Sequence, residues 1–219
     1  MRRRSTEARE EPTGERTHVR IACVGDSITW GFFILRRKRD CYPAQLQRLL
    51  GVGVTVGNFG INGRTLQESG DRPYRLSRPY RESGEFDPDF VLIMLGTNDS
   101  RPGNWKGASH FLEDYRRLVQ HYRELRSAPR VFVMTPPAVY GRGRADKVMY
   151  GMSATAIDEM CVVIRELARE ERLGLIDAHV ATSGHPEAFR LDGVHPGAAG
   201  AALIARAARD ALVPELAPA

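Results

Sequence analysis

Ile21-Ala22-Cys23-Val24-Gly25-Asp26-Ser27-Ile28-Thr29-Trp30-Gly31 runs four apolar residues straight into Gly-Asp-Ser. An uninterrupted apolar run bounded by a glycine reads as a strand buried on both faces, the kind found in parallel sheets. A strand that stops there hands Ser27 to the carboxyl edge of the sheet, where open α/β sheets place their ligands. Ser27 is therefore a candidate nucleophile. A serine hydroxyl is weak in that role near neutral pH, so the reading requires a base, an acid to orient it and donors for an oxyanion elsewhere in the chain.

Outward from this stretch, the pattern alternates strands with helices. Residues 18–24 form the first strand, 36–40 a polar loop, and Asp40, Pro43, Leu46, Leu49, Leu50 and Gly51 mark a capped amphipathic helix. Residues 52–56 are a second strand, which leads into Asn58-Phe59-Gly60-Ile61-Asn62-Gly63-Arg64-Thr65, a loop whose glycines let the backbone turn sharply and expose its amides. Residues 66–87 are rich in Arg, Pro and Ser, with Pro73 and Pro79 interrupting any helix, and read as a long irregular insertion of the sort that forms lids or binding loops. Residues 90–95 form the most hydrophobic strand, ending in Gly96-Thr97-Asn98-Asp99. A helix over 109–126, a strand over 130–134, a Gly/Arg loop to about Tyr150, a helix over 153–171, a short strand over 173–176 and an Ala-rich helix over 198–212 complete the chain. Five strands joined by crossovers argue an α/β fold: a parallel sheet with helices on both faces.

With 219 residues and 42% hydrophobic content, the chain can bury a core without disulfides or metal. One domain over 18–219 is expected, preceded by a charged tail over 1–17 that is too poor in apolar residues to fold. The three cysteines, Cys23, Cys41 and Cys161, are widely spaced and form no CxxC pair, which suits a reducing compartment and offers no zinc site. The first residues are basic but lack an apolar segment, and no apolar run reaches spanning length, so a soluble, cytoplasmic protein with no membrane partner is expected. The net charge is +5, and the tail contributes only +1 of it, five arginines standing against four glutamates. The excess lies in Arg36-Arg37-Lys38-Arg39 and in Arg72, Arg75, Arg78 and Arg81. Without a nucleic-acid motif or interleaved aromatics these clusters do not point to nucleic acid. They suit an anionic substrate near the sheet edge, a solvated surface or a contact between copies in a homo-oligomer.

Leu191-Asp192-Gly193-Val194-His195-Pro196 supplies what Ser27 lacks. An aspartate and a histidine three residues apart on a turn can face one site, the carboxylate orienting the imidazole that serves as base. His18, His110, His121, His179 and His185 stand in no such setting. A metal at Asp192 and His195 would need further ligands at suitable spacing, and none is evident, so no metal and no cofactor is expected. Oxyanion donors can come from the Ser27 amide, an amide in the 58–63 loop and the Asn98 side chain, each at the carboxyl end of its own strand.

The ordered blocks GDSIT, NFGING, GTND and DGVHP resemble the SGNH hydrolases, or GDSL-type esterases, over about residues 20–205. The resemblance implies a three-layer α/β/α sandwich with a five-stranded parallel sheet. It implies Ser27 as nucleophile and Asp192 and His195 as its partners, with an oxyanion hole from Ser27, Asn98 and Gly63, Gly60 being the weaker claimant to the loop position. The GDRPY and GTNDS blocks look most similar to sugar O-acetylesterases, which implies a small-molecule substrate, an acetyl ester on a carbohydrate. Relatives also act on lysophospholipids and thioesters, and a binding module on the same scaffold, with its pocket closed by the 66–87 insertion, is the non-enzymatic alternative. A flavodoxin-like nucleotide binder is disfavoured because the loop after the first strand lacks a Gly-rich phosphate fingerprint. Asp26, Trp30 and Arg72 are candidate substrate contacts, and Trp30, Phe32, Phe33, Trp105 and Tyr140 offer flat faces for a sugar ring or an acyl chain.

Overall fold

The computed structural model describes residues 18–141 and 148–216; the tail expected over 1–17 and part of the Gly/Arg loop lie outside these. The strands are β1 (Val19–Gly25), β2 (Val54–Gly60), β3 (Phe90–Met94), β4 (Arg130–Met134) and β5 (Gly174–Ile176). All pair in parallel, in the order β2-β1-β3-β4-β5. The helices are α1 (Ser27–Trp30), α2 (Arg37–Asp40), α3 (Tyr42–Leu50), α4 (Arg78–Glu85), α5 (Ala108–Arg123), α6 (Ala154–Glu170), α7 (Ala178–Thr182) and α8 (Ala198–Leu216).

The two-residue period of the strands sorts their side chains into two cores. Ala22, Val24, Val91, Ile93, Val131 and Val133 meet Phe111, Tyr115 and Tyr122 of α5 and Met160, Ile164 and Leu167 of α6. Ile21, Cys23, Leu92, Met94, Phe132 and Ile176 point the other way, against Tyr42 and Leu46 of α3 and Ile204, Ala205, Ala208 and Leu212 of α8. The result is the three-layer α/β/α sandwich expected. The chain leaves β1 for the β2 edge and then returns past it to β3, so the connections diverge between β1 and β3. That divergence opens a crevice at the strands' carboxyl ends, and Gly25-Asp26-Ser27 and Gly96-Thr97-Asn98 both end there.

Four readings from sequence need correction. Residues 37–40 are helical rather than a polar loop, and Asp40 does not cap α3. The N-cap is Cys41, without a side-chain bond, while the Asp40 carboxylate takes Arg39 at 2.8 Å. The second strand begins at Val54, because Gly53 holds φ at +84° and leaves Val52 in an exposed turn. The 66–87 insertion is partly helical: α4 begins at Arg78, with Pro79 in its first turn, where a missing N–H breaks no helical bond. Ser77 caps it, its Oγ accepting the Tyr80 N–H at 3.3 Å.

Candidate active site

β1 ends in a glycine because nothing larger fits. A Cβ on Gly25 would fall 2.1 Å from Thr29 Oγ1 and 2.6 Å from the Met94 carbonyl on β3. The chain then turns at once into α1, with Asp26 Oδ1 accepting the Ile28 N–H at 2.8 Å as the cap. Ser27, the first residue of that turn, is only 8% exposed. Its Oγ lies 3.0 Å from His195 Nε2.

His195 is held from behind. Its Nδ1 lies 2.7 Å from Asp192 Oδ2, and Asp192 Oδ1 accepts the backbone N–H of both Val194 and His195 at 2.9 Å. The turn needs Gly193, which has φ +68° and whose Cβ would sit 1.9 Å from the Tyr140 carbonyl oxygen. Burial alone would raise the Asp192 carboxyl. The His195 N–H, the imidazole and the Val194 N–H outweigh burial and hold it below the ordinary carboxylate range. An ionised carboxylate on Nδ1 fixes the tautomer that leaves Nε2 free to accept a hydroxyl proton.

Asn98 also reaches this point. Its Nδ2 donates to Asp26 Oδ2 at 3.2 Å and to the Arg64 carbonyl at 3.1 Å, while its backbone carbonyl receives Asn104 Nδ2 and Arg101 Nε. Asp26 thus ties the Ser27 turn to Asn98. It is fully enclosed, and burial pushes its carboxyl up to about 7 against the opposing pull of the Ile28 and Asn98 hydrogen bonds. Asp99, also buried and accepting the Leu66 and Gln67 N–H groups, is likewise pushed up to about 7 by burial.

A cleft of about 340 Å³ opens over Ser27 and His195, lined by Phe32, Phe33, Asn62, Gly63, Asp71, Arg72, Thr97, Asn98, Arg101, Tyr150, Met152 and Val194. Gly63, at φ +73°, stands on its wall. Gly60 does not: its N–H donates to Asn58 Oδ1 at 3.0 Å, and a Cβ there would collide with the Trp30 backbone N at 2.2 Å. Among the described residues, neither the Ser27 nor the Gly63 N–H has an acceptor.

The other candidates divide. Arg72 lines the cleft, whereas Asp26 lies beneath it. Trp30 is outside it, covered by the Arg37 guanidinium 4.2 Å from its ring centre. Of the remaining aromatics, Phe32 and Phe33 meet the His195 ring edge-on at 5.1 and 5.6 Å. Trp105 packs on Phe111 and Tyr140 on Phe189. The 36–39 cluster contributes no residue to the cleft, and Arg75 and Arg78 pair with Glu68 and Glu82. Sequence reasoning missed Tyr150, whose ring stands 5.9 Å from His195 and whose hydroxyl lies 3.5 Å from Asp192 Oδ2. Tyr150 and Phe33 both hold left-handed backbone, φ +59° and +61°, and strain of this kind collects at functional sites. Nothing in the sequence marks either conformation.

Among the described residues no group of three or more His, Cys, Asp or Glu side chains is arranged to hold a metal ion, and no helix is long and apolar enough to cross a membrane. The three cysteines are buried.

The acetylxylan esterase of Xylanibacter ruminicola is 33% identical over 208 residues, covering 87% of this chain and 42% of the relative. An uncharacterized esterase of Bacillus subtilis is 27% identical over 222 residues, covering 91% and 52%. The chain thus spans about half the length of these curated relatives. Among solved structures, the aryl esterase of M. smegmatis superposes with a TM-score of 0.75 at 22% identity, covering 91% of this chain and all of the other. A carbohydrate acetylesterase from Sinorhizobium meliloti gives 0.74 at 20% identity, covering 90% of this chain and all of the other. At these identities the two structures speak for the fold alone. A sequence model of the GDSL-like lipase/acylhydrolase family matches residues 23–203, most of the chain and every element of the site just described. The chain belongs to the GDSL-like lipase/acylhydrolase family.

Proposed function

We propose that this protein is a serine esterase that hydrolyses acetyl or similarly short acyl esters on a carbohydrate. The observation that carries the proposal is the unbroken series from Asp192 through His195 to Ser27, with steps of 2.7 and 3.0 Å, opening on a cleft. Ser27 Oγ attacks the ester carbonyl while His195 Nε2 takes its proton. The carbonyl becomes a tetrahedral oxyanion, held by the Ser27 and Gly63 N–H groups and by Asn98 Nδ2, which turns to it the hydrogen otherwise given to the Arg64 carbonyl. His195 returns the proton to the departing alcohol, leaving an acyl-serine. A water then gives its proton to His195, attacks the acyl carbon and releases the acid, and Ser27 recovers its proton. Asp192 stays ionised throughout and holds the imidazole in place.

The acetyl and carbohydrate parts of the proposal are supported by the relative named acetylxylan esterase. A second reading, for longer acyl chains, has one observation in its favour. An apolar shelf formed by Phe33, Met149, Tyr150 and Leu191 adjoins the cleft through Phe33 and Tyr150. Hydrolysis of p-nitrophenyl esters from acetate to palmitate separates the two. The expected outcome is highest kcat/KM on acetate, falling by at least about 10³ in folded Ser27→Ala. A maximum at long chains would move the assignment to the shelf, and full activity without the serine would overturn the mechanism.

A further inference from the structure

Resting on the esterase reading, we infer that the alcohol part of the substrate carries a carboxylate, and that Arg72 is the residue that selects it. Arg72 lines the same cleft as Ser27, Gly63 and His195. Its Nη1 stands 3.3 Å from the point where a Cβ on Gly63 would project, so the guanidinium lies beside the residue whose amide the proposed mechanism assigns to the oxyanion. Its neighbours on the insertion are committed: Arg75 pairs with Glu68 at 2.8 Å and Arg78 with Glu82 at 2.6 Å. Arg72 pairs with no carboxylate among the described residues.

The remaining charges of the cleft set the sign and size of what it accepts. Arg101 donates Nε to the Asn98 carbonyl and Nη2 to Asp71 Oδ1 at 3.3 Å, and Asp71 also accepts Asn104 Nδ2 at 3.1 Å. Asp71 is thereby engaged with Arg101 and Asn104. That leaves Arg72 as the guanidinium on this wall with no carboxylate partner among the described residues, and a monoanion matches it. A planar guanidinium with free N–H groups meets a carboxylate in paired hydrogen bonds, and the geometry adds orientation to attraction. An acetyl group carries no charge, so the carboxylate belongs to the alcohol part. An acetylated sugar acid has this form.

The test compares one acetylated hexuronate, as the free acid, with its methyl ester, which differs only in charge. The quantity read is the ratio of their kcat/KM values. For wild type at low ionic strength the expected ratio is 10 or more in favour of the acid, on the order of what one charge-assisted hydrogen-bonded pair supplies, and it falls as salt is added. In Arg72→Gln the ratio drops toward 1, and Arg72→Lys keeps part of it. A wild-type ratio of 1 or below, insensitive to salt, would overturn the proposal even if no Arg72 variant folded. So would a ratio unchanged in folded Arg72→Gln, or faster turnover of an acetylated sugar phosphate than of the sugar acid. Failure of wild type to hydrolyse p-nitrophenyl acetate would instead remove the esterase reading, and the proposal with it.

Discussion

Asp26 serves two donors with one carboxylate: Oδ1 takes the Ile28 N–H that starts α1, and Oδ2 takes Asn98 Nδ2. Only the ionised form matches both, since a protonated oxygen or an amide nitrogen would set a hydrogen against the Asn98 amide. On the proposed mechanism Asp26 is therefore a positioning residue, acting on the oxyanion through Asn98 rather than on the substrate. Asp26→Asn is expected to fold and to lower kcat on p-nitrophenyl acetate by about 10- to 100-fold with little change in KM, short of the 10²- to 10³-fold typical of deleting an oxyanion donor outright. A rise in KM with kcat intact would place Asp26 in substrate binding. Its burial beneath the cleft stands against the substrate contact expected of it from sequence.

The elements that position the site were legible to the degree that their residues allowed one reading. β1, β3 and β4 are apolar on both faces, and no helix or loop uses Phe90-Val91-Leu92-Ile93-Met94 in that way. α4 was not legible, because a proline signals both a helix break and a first helical turn, and only the backbone at Ser77 separates them. Trp30, Trp105 and Tyr140 are ambiguous in the same sense: an aromatic ring suits a sugar, a core or an arginine equally. Asp192, His195 and Asn98 were legible as candidates because the chemistry proposed for them admits few residue types, whereas Tyr150 reaches the cleft through a backbone conformation that no neighbouring residue announces. The junction of β1 and α1 shows how narrow such a restriction is. Gly25 holds no left-handed backbone, yet a methyl group there meets Thr29 Oγ1 and the Met94 carbonyl, and a strand carbonyl cannot rotate away. Gly25→Ala is expected to cost about 1–3 kcal/mol in urea unfolding and to reduce activity by shifting Ser27 from His195. A variant of unchanged stability would show that β1 and β3 part more easily than their pairing implies.

At the scale of the molecule, the divergence between β1 and β3 brings the ends of both strands to one crevice, and it buries Asp26 and Asp99 beneath that crevice. Each is pushed up to about 7, chiefly by burial, and Asp99 is raised further by the charge of Asp26. A carboxyl whose value in the fold lies above its unfolded value near 3.9 stabilises the fold fully below that unfolded value, and the contribution is lost as the pH climbs through about 7. Asp192 and Asp177, held below the ordinary range, have the opposite sign: their contribution is present above the unfolded value and lost on acidification. On the proposed mechanism the fold and the oxyanion site therefore favour different conditions, because the ionised Asp26 that holds Asn98 is the form whose burial costs stability. Asp99→Asn isolates the effect, since Asp99 touches the Leu66 and Gln67 amides and does not line the cleft. Like the protonated carboxyl, the variant keeps one bare acceptor for those two amides, but it sets two hydrogens against the second amide where the carboxyl sets one, so it is expected to be less stable than wild type near pH 5, where Asp99 is protonated. Between pH 5 and 8 the gap is expected to narrow by a few kcal/mol, each pKa unit being worth about 1.4 kcal/mol, as wild type alone comes to hold a buried charge. Urea unfolding of both proteins across that range measures it. A gap that stays constant from pH 5 to 8 would mean that Asp99 titrates alike in the folded and unfolded chains, and that burial beneath the crevice exerts no such opposition.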